Sequence, residues 1–192
     1  MVVVDCPISR VNRLQPTLQK LSASQEGFLR AADGISATQW QREPISGGWS
    51  AAELVGHLCQ VERGVLSYAD RVIRKAPLSV SFFKRWHLPI ALVESRIVKR
   101  QAPGAVQPAE VAGKETMLAD LRSVRERTLA FLEETHQRDL ACYYWRHPFL
   151  GNLNFYQWFT FVAAHQARHT KQMLEIAKNL PKGVASAQKE SV

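Results

Sequence analysis

Two histidines, His165 and His169, lie four residues apart in the stretch FVAAHQARHTKQM, residues 161–173. Phe161 precedes His165 by four residues and Met173 follows His169 by four, so a helix here places both imidazoles on its apolar face. Imidazole nitrogens one helical turn apart can bind the same metal ion. The spacing therefore predicts two metal ligands, although it is not the H-E-x-x-H motif that also supplies a base.

A third ligand is expected from another helix, because two protein ligands rarely make a good site. His57, in ELVGHLCQVE, lies three residues after Leu54 and four before Val61, on the apolar stripe of its own segment. Burying three unpaired imidazoles is unfavourable, and a shared cation removes that penalty.

We predict a site formed by His57, His165 and His169. It suits Zn or Ni best, with Mn or Fe as further candidates. The alternative is a structural one, in which the three histidines bond to each other and to water.

Two charged residues lie close to these histidines in sequence. Glu62, five residues after His57, is predicted as a catalytic residue that accepts a proton or orients a ligand. The alternative is a surface carboxylate that pairs with Arg63 or Arg125. Arg168 is predicted as a cofactor-binding residue that holds an anionic substrate or the partner chain, the alternative being a salt bridge at the rim.

Other reactive side chains receive no catalytic role. Cys59 is turned away from His57 by its two-residue spacing, and we do not predict it as a nucleophile. His147 is predicted to make a local hydrogen bond in a turn, and His87 and His136 to be exposed. Three aromatic residues could line a pocket, but such stripes are more often core: Tyr156, Trp158 and Phe161.

Four long segments have the apolar spacing of helices, at about 11–32, 50–75, 115–135 and 155–180. Ser50 and Glu53 form the pattern of a capping box at the start of the second segment. Charged residues that alternate along the third segment, Arg125 among them, indicate an exposed face.

The predicted fold is all-α, a four-helix bundle in a single domain, 1–192, with its core at about 11–180. A long crossover, 76–113, contains one short helix or turn and joins helices 2 and 3; residues 183–192 form a frayed tail.

The net charge of +8 is concentrated in one part of the chain. Residues 71–100 contain eight Lys or Arg and one acid, Glu94. This basic segment could attract phosphates, anionic lipid or an acidic substrate, or it is a solvated surface. We do not expect nucleic acid as a partner, because no helix-turn-helix, RRM or OB signature is present.

Three scattered cysteines without a C-x-x-C motif favour a reducing cytoplasm. The first ten residues do not form a signal peptide, and no apolar run approaches the length of a membrane span.

Two stretches resemble the DinB-like four-helix-bundle superfamily. The stretch GGWSAAELVGHLCQVE resembles its second-helix motif, W-S-x-x-E followed by H-L, and the match is strongest at 48–62. Residues 147–173 resemble its fourth-helix motif, in which H-P-x-x-G precedes the helix and H-x-x-R-H-x-x-Q closes it. The resemblance covers most of 11–180, but the basic segment between the second and third helices has no counterpart in it.

The resemblance implies a divalent metal ion held by His57, His165 and His169. Members of the superfamily include S-transferases and isomerases that use bacillithiol or mycothiol, and proteins described as metal-dependent hydrolases. Members often form dimers, so a homodimer is expected here.

Two functions follow from these expectations. The first is a metal-dependent enzyme that activates a low-molecular-weight thiol or water toward a small electrophilic substrate. We favour the thiol slightly, because no base is evident in the motifs. The second is a non-catalytic module that binds metal or an anion through the basic crossover.

Overall fold

The computed structural model describes residues 13–76, 87–94 and 112–181. Its helices are α1 (Leu14–Asp33), α2 (Ala51–Ile73), α3 (Ala91–Glu94), α4 (Lys114–Glu134) and α5 (Phe155–Asn179). A 3-10 turn (Ala37–Gln39) follows α1, and two strands, β1 (Tyr144–His147) and β2 (Gly151–Asn154), lie between α4 and α5. The mainly helical class predicted from periodicity is confirmed.

The two helices that carry the histidines begin with capping boxes. At the start of α2, Ser50 Oγ accepts a hydrogen bond from Glu53 N at 3.2 Å, and Ser50 N donates to Glu53 Oε2 at 2.8 Å. At the start of α5, Asn154 Oδ1 accepts from Gln157 N at 2.9 Å, and Asn154 N donates to Gln157 Oε1 at 2.8 Å. These bonds satisfy backbone N–H groups that lack partners at a helix start. The first residue of each helix is therefore locally encoded.

An antiparallel hairpin corrects the all-α prediction. In it His147 of β1 lies opposite Gly151 of β2, whose φ of 92° is readily adopted by glycine. Each strand has four residues, too few for an alternating pattern to stand out in the sequence. Trp145 of β1 stacks on Trp158 of α5 with ring centroids 5.1 Å apart, so a tertiary contact supports the hairpin.

Each long helix packs mainly against two others. Helix α1 contacts α5 and α4, and helix α2 contacts α4 and α5. The short helix α3 and strand β2 also pack on α5. Among the described residues, no helix is both long enough and apolar enough to cross a membrane.

The apolar core consists of two clusters of buried residues. The first draws on all four long helices, including Phe28, Leu54, Leu58, Leu121, Val124, Met173 and Ile176. The second draws on other turns of the same helices, earlier in α1 and α5 and later in α2 and α4, including Leu18, Leu21, Val65, Leu132, Phe161 and Val162. Polar side chains lie between the two clusters along each helix, and we call them the polar layer: Ser24, Glu62, Arg125 and Gln166.

Arg125 was predicted on the exposed face of α4, and this prediction is wrong: only 2% of its surface is exposed. Its guanidinium donates to Glu62 Oε1 at 2.7 Å and Oε2 at 2.9 Å, and to Gln166 Oε1 at 2.9 Å. It also donates to the carbonyl oxygen of Leu21 and, at 3.4 Å, to Ser24 Oγ. Three other helices supply these partners, so the sequence of α4 alone could not reveal them.

Several predictions concern residues outside the described ranges. They include the tail at 183–192, most of the crossover at 76–113 and five of the eight cations of the basic segment. The described stretch 87–94 of the crossover contains a short helix, α3, where one short helix or turn was predicted.

Candidate metal centre

The three predicted histidines converge between α2 and α5. His165 Nε2 lies 3.3 Å from His57 Nε2 and 3.1 Å from His169 Nε2. One ring nitrogen from each histidine lies within 4.8 Å of the other two, and His57 and His169 are buried while His165 is half-buried. The structure therefore brings together all three residues that the sequence singled out.

Hydrogen bonding among the rings alone leaves this cluster incompletely satisfied. His169 Nδ1 faces Gln172 Oε1 at 2.9 Å, an acceptor, so the neutral ring carries its proton on Nδ1 and a lone pair on Nε2. His165 Nε2 has one in-plane position, either a proton or a lone pair, but two neighbouring nitrogens. Of its two short N···N contacts, at least one therefore has either no proton or two protons between the nitrogens. Such a contact is not a hydrogen bond. A cation at the centre accepts all three lone pairs and removes this conflict.

The spacing of the nitrogens also fits a metal ion. Tetrahedral Zn with Zn–N distances of about 2.0–2.1 Å separates its ligand nitrogens by about 3.3 Å. Two of the three separations, 3.3 and 3.1 Å, lie at this value or just below it, and the third, between His57 and His169, lies within 4.8 Å. Three imidazoles leave a fourth position for water or substrate, which is the arrangement of catalytic rather than structural zinc sites.

The electrostatics of the cluster favour neutral rings. The pKa of His165 lies well below its usual 6.5, chiefly because burial penalises the charged form, and then because a charged His165 would be repelled by protonated His169 or His57 and by Arg168. A neutral imidazole is the form that binds a metal ion. Near neutral pH the His165 ring is therefore in the neutral form that can bind a metal ion.

A glycine turn places an aromatic ring on the site. Gly47 and Gly48 have φ values of 74° and 98°, which few other residues adopt, and they lead into Trp49 and the cap of α2. The Trp49 ring lies 4.9 Å from the His57 ring, centroid to centroid. On α5, Phe161 lies 5.4 Å from His165. These rings form apolar walls beside the nitrogens.

Glu62 is 3% exposed and lies in the polar layer, where both of its carboxylate oxygens accept hydrogen bonds from Arg125. Of the two partners considered for it, Arg125 is the observed one, but the pair is buried rather than on the surface. Arg63 instead pairs with Asp120. Arg168 is half-buried, and its charge contributes to the lowered pKa of His165, so its guanidinium lies within electrostatic reach of the site.

The other side chains considered in the sequence differ in how deeply they are buried. Burial first, and then the charge of Asp120, raises the pKa of Cys59 to about 12, so its thiol is not a nucleophile at neutral pH. His136 is exposed as predicted, whereas His87 is half-buried and its Nε2 lies 2.7 Å from Gln157 Nε2. Trp158 and Phe161 are core residues, each 7% exposed.

Gln172 and Trp49 belong to the site but were not predicted as site residues. A signal for Gln172 was present, because it follows His169 by three residues and so lies on the same face of α5. A separate cavity of about 390 Å³ lies at the start of α5 and shares no residue with the histidine cluster; it is lined by Arg13, Pro16, Thr17, Lys20, Asn154, Tyr156, Gln157 and Thr160.

Comparison with known proteins agrees with the resemblance seen in the motifs. The chain is 28% identical over 153 residues to the uncharacterized protein YuaE of Bacillus subtilis (strain 168), a match that covers 77% of this chain and 88% of that protein. No solved structure matches significantly. The family model of the DinB superfamily matches residues 20–173, a span that contains all three histidines. The chain belongs to the DinB superfamily.

Proposed function

We propose that this protein is a divalent-metal-dependent enzyme in which His57, His165 and His169 hold the ion. The observation that carries the proposal is the convergence of the three imidazoles from two helices, with Nε2 atoms 3.1 and 3.3 Å apart. Zn or Ni suits three neutral imidazoles best, and Mn or Fe is a further candidate. The substrate is a small electrophile.

A divalent ion in this site would lower the pKa of a bound water or of a bound thiol. The thiol route needs no protein base, and the surroundings of Glu62 support it, because Arg125 occupies both carboxylate oxygens. We therefore propose that Glu62 orients its neighbours through Arg125 rather than accepting a proton. We propose that Arg168 attracts an anionic group of the substrate or thiol, since its charge already acts on His165.

The proposed architecture is a four-helix bundle in one domain. The packing of the four long helices supports this proposal, because each contacts two others in a ring: α1 contacts α5, α5 contacts α2, α2 contacts α4 and α4 contacts α1. A homodimer is proposed from the resemblance alone, and light scattering on the purified chain tests it.

Elemental analysis of protein purified without a nickel column tests the site. We expect about one divalent ion per chain, and its loss in His57→Ala, His165→Ala and His169→Ala with helical circular dichroism retained. His136→Ala, at an exposed histidine, is the matched control and should keep the metal. Full metal occupancy in the three single variants would contradict the ligand assignment.

A separate assay tests the reaction. The metal-loaded protein is supplied with bacillithiol, mycothiol or glutathione and a chromogenic electrophile, in parallel with ester and amide hydrolysis. Turnover with a thiol that is lost in His165→Ala supports the transferase. Hydrolysis alone supports the water route. Metal binding without either activity supports the alternative, a non-catalytic metal- or anion-binding module.

A further inference from the structure

His147, at the end of β1, has its ring orientation and tautomer determined by the turn that follows. Its Nδ1 accepts hydrogen bonds from the backbone N–H groups of Phe149 and Leu150, both at 3.1 Å. A ring nitrogen that accepts carries a lone pair, so the proton of the neutral ring is on Nε2. His147 therefore presents an N–H donor on the side of its ring that faces away from the turn.

This donor has no hydrogen-bond acceptor among the described residues. Nε2 of His147 makes no hydrogen bond to the described residues, although the side chain is only 7% exposed. His147 Nε2 is not fully enclosed. Among the described residues, the side-chain polar atom that is both fully enclosed and without a hydrogen-bond partner is Trp40 Nε1, not His147 Nε2. A buried ring whose remaining N–H has no protein acceptor but stays open to water or a ligand is unusual, because buried polar atoms are normally paired within the protein.

The His147 ring lies on the face of α5 that carries the metal-site histidines. Its centroid is 4.4 Å from that of Phe161 and 5.0 Å from that of Trp158. Phe161 also contacts His165, one helical turn further along, at 5.4 Å. Phe161 thus joins the His147 ring to the site, and the donor and the site share the same aromatic wall.

We propose that His147 Nε2–H donates a hydrogen bond to an oxygen atom of the substrate bound at the three-histidine site. The inference rests on the proposed function and deepens it, because it specifies a substrate that carries a carbonyl or carboxylate oxygen beside an apolar group. The apolar group would pack against Phe161 and Trp158. Burial lowers the pKa of His147 to about 4, so the ring stays neutral and acts as a donor rather than a charge.

Two substitutions separate this role from support of the turn. In His147→Asn the amide oxygen takes the place of Nδ1, so the bonds to Phe149 N and Leu150 N are kept while the outer donor is lost. In His147→Gln the longer side chain places an amide N–H near the position of Nε2, but the acceptor for the turn is lost. A structural role predicts that Asn is tolerated and Gln is not; the donor role predicts the opposite order for ligand binding.

The probe is acetohydroxamate, which combines a metal-binding oxygen with a carbonyl, titrated calorimetrically into zinc-loaded protein. We expect His147→Asn to weaken its binding about tenfold and His147→Gln to keep it within about threefold, with zinc affinity the same in all three proteins. Equal acetohydroxamate affinity in the Asn and wild-type proteins, with zinc bound, overturns the role of His147 alone. Failure of the wild-type protein to bind zinc overturns the proposed function and this inference with it.

The tautomer of His147 can be measured without metal. Nitrogen-15 NMR of the histidine rings in the wild-type protein should show His147 as the Nε2–H tautomer at neutral pH. An Nδ1–H tautomer overturns the inference. An upfield-shifted Nε2–H proton that does not respond to acetohydroxamate in the zinc-loaded protein also overturns it, since it means that the N–H points at the Phe161 ring.

Discussion

At the scale of single residues, the proton on His169 decides how well the cluster can bind a metal ion. Gln172 Oε1 lies 2.9 Å from His169 Nδ1 and holds the proton there, so Nε2, which faces the cluster, carries a lone pair. Partners that orient a ligand in this way commonly contribute 10–100-fold to metal affinity, an order-of-magnitude range.

We expect Gln172→Leu to lower zinc affinity by roughly 10–100-fold, because the His169 ring can then rotate or change tautomer. Gln172→Glu keeps an acceptor at the same position and should bind zinc at least as tightly as the wild type. Competition with a fluorescent chelator measures both. Unchanged affinity in Gln172→Leu would mean that packing alone orients the ring.

His147 gives the protein a specific dependence on pH. Its pKa is about 4 in the folded state, because of burial, against 6.5 for a free side chain. As the pH falls from 6.5 to 4, the unfolded chain takes up a proton that the folded chain does not, so the free energy of unfolding decreases.

We expect this loss to stay below about 3 kcal/mol at pH 4, because water at the open side of the ring screens part of the effect. His147→Asn, which lacks the titrating group, should show a correspondingly flatter pH dependence. Urea unfolding of both proteins with a chelator present, at pH values from 7 to 4, measures the difference. Parallel pH profiles for the two proteins would show that His147 is accessible to protonation in the folded state.

At the scale of elements, the polar layer connects the four long helices near the site. Arg125 of α4 bonds to Leu21 and Ser24 of α1, to Glu62 of α2 and to Gln166 of α5, the residue next to His165. Glu62 in turn lies on the helix that carries His57. The network therefore constrains how α2 and α5 meet, because each helix must align with the same guanidinium.

We expect Arg125→Met to destabilise the fold by about 3–5 kcal/mol, because it leaves the Glu62 carboxylate buried without a partner. The double variant Arg125→Met/Glu62→Leu removes both charges and should be clearly more stable than the single one. Arg63→Met, which breaks the exposed pair with Asp120, is the matched control, with an expected cost of about 1 kcal/mol or less.

Urea denaturation curves of the three variants and the wild type give the comparison. A double variant no more stable than Arg125→Met would indicate that the guanidinium matters for Gln166 and α1 rather than for Glu62.

At the scale of the whole molecule, a bound ion would connect residues 57 and 165–169, which are more than a hundred positions apart in the chain. Any ligand that binds only the folded state raises the free energy of unfolding by mass action. The basic segment has no such defined role, because most of it lies outside the described residues. The cytoplasmic location stays a prediction.

We expect zinc at a hundredfold excess over its dissociation constant to stabilise the fold by about 2.7 kcal/mol. For a chain of this size that corresponds to a rise in melting temperature of roughly 5–10 °C. Thermal denaturation with and without zinc measures it, and His165→Ala should show no rise. A rise of the same size in His165→Ala would place the bound zinc elsewhere.

The sequence by itself determined the long helices and the residues of the candidate site. Helical spacing and capping are local properties, so α2 begins at its predicted capping box, α5 begins at residue 155 as predicted, and His57, His165 and His169 lie on the predicted faces. The motif match to the superfamily depended on the same local patterns.

Only the tertiary structure decided the features that need partners from distant parts of the chain. The hairpin requires Trp158 of α5 beneath Trp145, and the burial of Arg125 requires acceptors on three other helices. The 3.1 and 3.3 Å separations and the orientation of the His147 ring likewise arise where elements meet. Periodicity indicates which face of a helix is buried, but the distance between two side chains depends on how the helices pack.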